Sequence, residues 1–247
     1  MISICLATYN GEKYIREQLD SILSQIAPDD EVIISDDGST DATIDIIKSL
    51  RDCRIKIFFN GGKHGFKFNF ENALKNAKGD YIFMSDQDDV WFPNKYQIMC
   101  RYLKEYDMIH HNSELTDGQL KAMGKDLYTT CDNRSGFFHN LKKNTYYGSH
   151  MAFRSSLLKN ILPFPRTLEI GHDVWIGFVG QTIGDVFFTE EKLMYYRRHE
   201  GAYCALFKSD RPLYKKILTR IVIFCYEIKF ILQNMRIVKW NKLFSNA

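Results

Sequence analysis

The sequence predicts an α/β fold, a single mainly parallel sheet flanked by helices, and two observations predict it. The first ninety residues alternate short apolar stretches rich in β-formers with longer amphipathic ones, in the order β-α-β-α-β-α-β. Three of the four predicted strand ends also carry polar clusters: Thr8-Tyr9-Asn10, Asp36-Asp37-Gly38 and Asp86-Gln87-Asp88-Asp89. Ligands of open α/β sheets bind beyond the carboxyl ends of the strands, where these clusters would lie. The chain has 247 residues, 45% hydrophobic and 26% charged, enough for one large domain with a real core.

Each element has its own justification. Ile2 to Thr8 is a mostly apolar run suited to a buried parallel strand, broken by Tyr9-Asn10-Gly11. Tyr14, Ile15, Leu19, Ile22, Leu23 and Ile26 recur at helical spacing, which predicts a helix over about 12–25. Glu31 to Ser35 reads as the second strand, and Ser39 or Thr40 as the cap of a helix over 41–50. Ile55 to Phe59 is the third strand, and a Gly-rich loop and a helix over about 68–77 lead to the fourth, Tyr81 to Met84. Pro93 suits the first position of a helix to about Tyr106, and Asp107 to His111 reads as a further strand. From Asn112 to Tyr147 the periodicity is weak, which predicts an acceptor-facing segment or an ordinary long loop.

The fourth strand delivers Asp86, Asp88 and Asp89 within four residues. Carboxylates so close repel one another unless a cation joins them, and hard divalent ions such as Mg2+ or Mn2+ prefer oxygen ligands shared with substrate phosphates. Alone, the triplet also reads as a solvated acidic turn. The sequence has neither G-x-G-x-x-G after the first strand nor G-x-x-x-x-G-K-[ST], so the usual dinucleotide and nucleotide phosphate cradles are missing. A nucleotide bound here would need a cation for its phosphates.

The stretches ATYNGEKYIREQLDSIL, EVIISDDGSTDAT and GDYIFMSDQDDVW resemble the inverting glycosyltransferases of family 2, which have the GT-A fold. The likeness covers roughly the first hundred residues, in the family's order and spacing. It implies that Thr8, Tyr9, Asn10 and Glu12 line the base and ribose of a nucleotide-sugar donor, and that Asp37 faces the pyrimidine. It implies that Asp88 is the direct ligand of Mn2+ or Mg2+, with Asp86 near the ribose and the metal's waters. Asp173, in Ile170-Gly171-His172-Asp173-Val174-Trp175, matches the family's general base; by pattern alone it is equally an N-cap, and the role of His172 is open. His150 reads as an acceptor contact or a satisfied interior histidine, and Trp175 as an acceptor contact. Arg197, Arg198 and His199 read as diphosphate or metal contacts, or as a solvated strand edge.

The resemblance further implies a hexosyltransferase of O-antigen or capsule assembly, with UDP-glucose or UDP-galactose as donor and an amino sugar on undecaprenyl diphosphate as acceptor. A rhamnosyltransferase using dTDP-rhamnose is the near alternative, and an inactive sugar-nucleotide-binding domain the distant one. The expected organisation is a catalytic domain over 1–207, with a nucleotide-sugar half (1–106) and an acceptor half (107–207), and a tail over 208–247. Residues 208–247 hold nine Lys or Arg and two acidic residues, net +7, against −4 for the rest. Apolar residues at 213, 217, 221, 224, 228, 231, 235 and 238 form a helical stripe there, flanked by Lys and Arg. Such a helix can lie on an anionic membrane, pack on the catalytic domain, or pair with a second copy. The N-terminal MISICLATYN has no basic region before a long apolar run, and six cysteines show no metal-finger spacing. The expectation is a cytoplasmic protein with reduced thiols, peripheral on the inner membrane, with no nucleic-acid partner.

Overall fold

The structure, a computed structural model, describes residues 1–199 and 212–241. The first and last parts of the basic tail, 208–211 and 242–247, lie outside the described residues. The chain runs β1 (Ile2–Thr8), α1 (Ile15–Leu23), β2 (Glu31–Asp36), α2 (Thr43–Ser49), β3 (Ile55–Phe59), α3 (Phe66–Asn76) and β4 (Tyr81–Ser85). After β5 (Val90–Trp91), α4 (Lys95–Leu103) and β6 (Met108–Thr116) come β7 (Ala122–Asp126), α5 (Leu127–Cys131) and α6 (Phe137–Lys142). Then follow β8 (Met151–Arg154), α7 (Leu158–Ile161), α8 (His172–Ile183), β9 (Val186–Arg197) and α9 (Leu213–Gln233).

The nine strands among the described residues form one sheet, ordered β3-β2-β1-β4-β8-β6-β9-β5, with β7 on β6. The strands of the first half are parallel, as expected: β2 and β4 flank β1, and β3 joins β2. The second half is mixed. β8 runs antiparallel to β4 and β6, whereas β9 is parallel to β6. A short turn suffices to reverse an antiparallel strand, so this half does not repeat the β-α rhythm that made the first half readable.

Strand alternation divides the core between the two faces of the sheet. Ile4 and Leu6 of β1 meet Ile15, Leu19 and Ile22 of α1, together with Met99 and Leu103 of α4. Cys5 points the other way, into a cluster with Phe70 and Leu74 of α3, Ile176 and Val179 of α8 and Phe230 of α9. The fully buried Ile15, Leu19 and Ile22 each contribute about 1.5–3 kcal/mol by the usual burial scale, enough to fix which face of α1 turns inward.

Residues 112–147 are structured, not a long loop. β6 extends to Thr116, and β7, α5 and α6 follow. Their polar residues are spent internally: Asn112 Oδ1 accepts from the amide N–H of Tyr128 at 3.1 Å, and its Nδ2 donates to Asp126 at 3.1 Å. Tyr146 is buried against α8 and occupies the space a Cβ on Gly177 would need, so that glycine permits a close approach.

Candidate active site

The β1, β2 and β4 ends converge as the parallel register requires, and their loops are laced to one another. Asp36 shapes the second loop, accepting from the amides of Gly38 (3.1 Å) and Ser39 (2.9 Å), with Gly38 at φ 90°, a conformation that favours glycine. Asn10 reaches across from the first loop: its amide donates to Ser39 Oγ and its Oδ1 accepts from the Thr40 amide, both at 2.9 Å. Glu12 Oε2 accepts from the Ala42 amide at 2.9 Å, at the entry to α2.

Several residues expected to line the nucleoside are committed to this lacing. Thr8 is buried and gives its hydroxyl to Asp36 Oδ2 at 2.9 Å, so it supports the pocket floor and does not line it. Asp37 accepts from Asn60 Nδ2 (2.7 Å) and the Gly65 amide (2.7 Å), and lies 3.1 Å from His64 Nδ1. Its carboxylate thereby anchors the 60–65 loop to the second strand end. Tyr9 presents an exposed aromatic ring, 55% accessible, and Asn10 and Glu12 beside it are exposed as well.

Gln87, between the two aspartates of the motif, is a tie that the sequence reading missed. Its Oε1 accepts from the Tyr9 amide at 2.9 Å and its Nε2 donates to the Tyr9 carbonyl at 3.1 Å. The side chain pairs like a neighbouring strand and joins the β1 loop to the β4 loop. It lies so close to Gly11 that a Cβ there would overlap it.

The acidic loop rests on buried charge. Burial raises the Asp86 carboxyl to about 7, with the Asp88 charge adding to it and a hydrogen bond from Ser149 opposing it. Asp89 is buried and raised well above the carboxylate range by burial and then by Asp88; its Oδ2 has no hydrogen-bond partner. Beneath them lies Lys95, also missed: its Nζ donates to the Ser149 carbonyl (3.2 Å) and Met194 Sδ (3.3 Å) and sits 4.5 Å from the Trp91 ring centroid. Burial lowers this ammonium to about 7, with Asp89 and Asp86 pulling the other way.

Arg197 clamps this loop. Its Nε donates to the Asp88 carbonyl (2.7 Å), its Nη1 to the Gly118 carbonyl (2.9 Å) and its Nη2 to Glu17 (2.5 Å), while its amide donates to Asp89 Oδ1 (3.2 Å). The guanidinium is buried and fully directed at protein acceptors, which corrects the expectation of a diphosphate contact. Arg198 stacks its guanidinium 5.2 Å from the Tyr196 ring. His199 does reach the site: its Nε2 is 2.9 Å from Asp88 Oδ2, with its ring 4.8 Å from that of Tyr14.

The donor set fits a hard divalent ion bound by few protein ligands. Among the described residues no three His, Cys, Asp or Glu side chains are arranged as a complete metal cage. Asp88 Oδ2 and His199 Nε2, however, are 2.9 Å apart. Adjacent ligands on an octahedral ion with bonds of roughly 2.1 Å stand about 3 Å apart, and Mg2+-like ions fill their remaining positions with water and phosphate oxygens. Burial is the main cause of the raised Asp86 carboxyl, and the repulsion from Asp88 that adds to it is what such a charge would relieve.

Asp173 comes within electrostatic reach of the acidic loop from the second half of the chain. It lies in the first turn of α8, where Gly171 and not Asp173 holds the N-cap position, so the capping expectation is corrected. Its Oδ1 accepts from the Val174 amide at 2.8 Å, and Asn144 donates a further hydrogen bond. Burial raises its carboxyl to about 6, and its charge is one of those that raise Asp86. The loop before it is held by Lys67, a third residue missed, whose buried Nζ donates to the carbonyls of Thr167 and Ile170, both at 2.7 Å. His172 stacks on Phe70 with ring centroids 4.3 Å apart; burial drives it to about 3, so it is a neutral wedge between α8 and α3.

Two expected acceptor contacts are structural. His150 is fully buried, 2.8 Å from Ser113 Oγ and stacked near His110 and His111. Trp175 is buried, donates its Nε1–H to the Ile161 carbonyl at 2.9 Å and packs on Phe178 and Phe230. Both are interior because α8 and the short 3-10 turn Gly148–His150 before β8 direct these positions into the core.

A mixed α/β sheet whose strand-end loops gather carboxylates beyond the carboxyl ends of its parallel strands is the architecture of the GT-A class. The chain belongs to glycosyl transferase family 2, whose family model matches residues 3–162. It is 28% identical over 208 residues to an uncharacterised glycosyltransferase of Rickettsia typhi, covering 81% of this chain and 65% of that protein. The chain therefore spans about two thirds of that relative's length. It is 27% identical over 188 residues to the Escherichia coli UDP-Glc:alpha-D-GlcNAc-diphosphoundecaprenol beta-1,3-glucosyltransferase WfgD, covering 72% of this chain and 70% of WfgD. The fold is shared with residues 1–349 of Staphylococcus aureus TarS in complex with UDP-GlcNAc, at TM-score 0.70 and 20% identity, covering 99% of this chain and 72% of that one.

Proposed function

We propose that this protein is an inverting, divalent-metal-dependent hexosyltransferase that moves glucose or galactose from a UDP-sugar to an amino sugar carried on undecaprenyl diphosphate, at the cytoplasmic face of the membrane. The observation that supports the reading is that Asp173, far away in sequence, comes within electrostatic reach of Asp86 at the acidic loop. The similarity to WfgD supports the donor and acceptor.

In this reading the strand-end loops hold the nucleoside, with the exposed Tyr9 ring beside it. Asp88 and His199 would hold Mn2+ or Mg2+, which offsets the negative charge of the departing diphosphate. Asp173 takes the proton from the acceptor hydroxyl as that oxygen attacks the anomeric carbon. The bond from that carbon to the diphosphate oxygen breaks on the opposite face, and its electron pair leaves with the nucleoside diphosphate. A carboxyl raised to about 6 is ionised at neutral pH yet basic enough to accept this proton.

A donor screen tests the proposal: UDP-glucose, UDP-galactose and dTDP-rhamnose, each with Mn2+ or Mg2+ and a lipid-diphosphate amino sugar, read as release of nucleoside diphosphate. Release from a UDP-hexose that stops on chelation is expected. Release from dTDP-rhamnose alone would replace the hexose with rhamnose. Nucleotide binding without release from any donor would make the protein a binding domain.

A further inference from the structure

Helix α9 has two apolar faces, and only one of them is used. Ile223, Phe230 and Ile231 turn inward, with Phe230 5.5 Å from the Trp175 ring and 6.0 Å from that of Phe178 on α8. On the other side Leu213, Ile217, Ile221, Phe224, Ile228 and Leu232 lie outward, from 38% to 72% accessible. A shallow groove of about 500 Å³ runs along this outer side between Phe224, Cys225, Ile228, Lys229, Leu232 and Gln233. The stripe read from the sequence is thus divided: Ile231 and Val238 pack inward, while Leu213, Ile217, Ile221, Phe224, Ile228 and Met235 remain uncovered.

We infer that the outer face of α9 docks the protein on an anionic bilayer surface, with α8 and its Asp173 held one helix away from the lipid. The inference rests on the proposed reading that the acceptor is lipid-linked, and names the surface by which the enzyme meets it. The charge pattern favours lipid as the occupant. At 100° per residue Lys229 and then Lys215 follow the apolar face on one edge; on the other, Lys216 and the half-buried Arg220 fall at the angles of the inward residues Ile223, Glu227 and Phe230. The helix's single carboxylate, Glu227, is buried on the inner side. An apolar face edged by the lysines of its outer side matches anionic headgroups above acyl chains. Two copies of the same face would instead bring cation against cation. The helix lies on the surface and does not cross it: no helix among the described residues is long and apolar enough to span a membrane.

The test is co-sedimentation of the full chain with vesicles of phosphatidylcholine alone or with a quarter phosphatidylglycerol. Binding should be at least tenfold stronger to the anionic vesicles and should weaken as salt rises. I217E/F224E, at two exposed positions, should lose binding tenfold or more while keeping its circular dichroism spectrum. K215E/K229E should lose the preference for anionic lipid. Wild-type binding by I217E/F224E, or no binding by the parent chain, overturns the inference. So does a parent dimer that the double variant converts to monomer without change in vesicle binding, which would give the face to a second copy. Nucleoside diphosphate release with a short-chain, water-soluble acceptor is read in parallel. If that release fails while vesicle binding behaves as expected, the fault lies in the proposed reaction and not in the docking surface.

Discussion

The first half of the chain and the second build their parts of the candidate site by different means. In the first half the site is made of loops, and nearly every polar side chain in them bonds another loop: Asn10 to Ser39 and Thr40, Glu12 to Ala42, Asp37 to Asn60 and Gly65, Gln87 to Tyr9. In the second half a single carboxylate, Asp173, is placed by packed elements, with Lys67 and His172 wedging α8 against α3. A laced set of loops shares its load among many bonds. A packed carboxylate concentrates it in one atom pair. Removing one member of the first set should therefore weaken donor binding in steps, whereas removing Asp173 should stop the chemistry.

Asp173→Asn gives the largest expected effect, a loss in kcat of roughly 10²–10⁴-fold, the usual contribution of a positioned base, with donor KM unchanged. Steady-state kinetics at saturating acceptor measures it, and retention of more than a tenth of the parent rate would remove Asp173 as the base. The unsubstituted enzyme should lose kcat as pH falls through about 6, because the protonated carboxyl cannot accept the acceptor's proton.

Asp88→Ala should cost on the order of 10²–10³-fold in transfer, comparable to deleting one charge-stabilising group, and should raise the metal concentration needed for half-maximal rate. An unchanged metal titration would detach Asp88 from the cation and leave the acidic loop a structural feature of its half.

Gln87→Ala removes two hydrogen bonds, each with a net value of about 1 kcal/mol, and should raise donor KM roughly five- to tenfold with little change in kcat. If kcat falls instead and KM stays, the lacing acts on the chemistry and the contrast between the halves dissolves.

The smallest effect is on stability. Burial raises Glu227 to about 8, with Arg220 pulling the other way, and its Oε2 has no hydrogen-bond partner. Between the ordinary glutamate range and pH 8 the unfolded chain has lost this proton and the folded one keeps it, so stability falls as pH rises through that window. Glu227→Gln should be free of this loss, and its melting temperature should gain on the parent's by a few degrees between pH 6 and pH 8. A gap independent of pH would show that Glu227 is not the group responsible.

Much of the donor half was legible because a parallel β-α unit writes its period into the chain: β1 to β4 fall within a residue or two of the apolar runs that predict them. The second half lacks that period, and nothing local in it records which way its side chains point. His150, Trp175 and Arg197 carry functional chemistry by type, yet an interior position spends each on Ser113, Ile161 or the Asp88 carbonyl. The reverse error is Lys95 and Lys67. An isolated lysine in a helix reads as solvent-facing, because burying an ammonium is costly without several acceptors, and those acceptors come from 54 and 100 residues away in sequence.

By itself the sequence determined that the first four strands are parallel, that polar clusters stand at three strand ends, two of them with aspartates, and that the tail is basic and amphipathic. These are local facts, set by periodicity and turn chemistry within a dozen residues. Only the tertiary structure decided that Asp173 comes within electrostatic reach of Asp86, that Arg197 is a clamp and His199 a partner of Asp88, and which side of α9 stays uncovered. Those depend on strand order in a mixed sheet, where neighbours in space are far apart in the chain and local pattern carries no record of who faces whom.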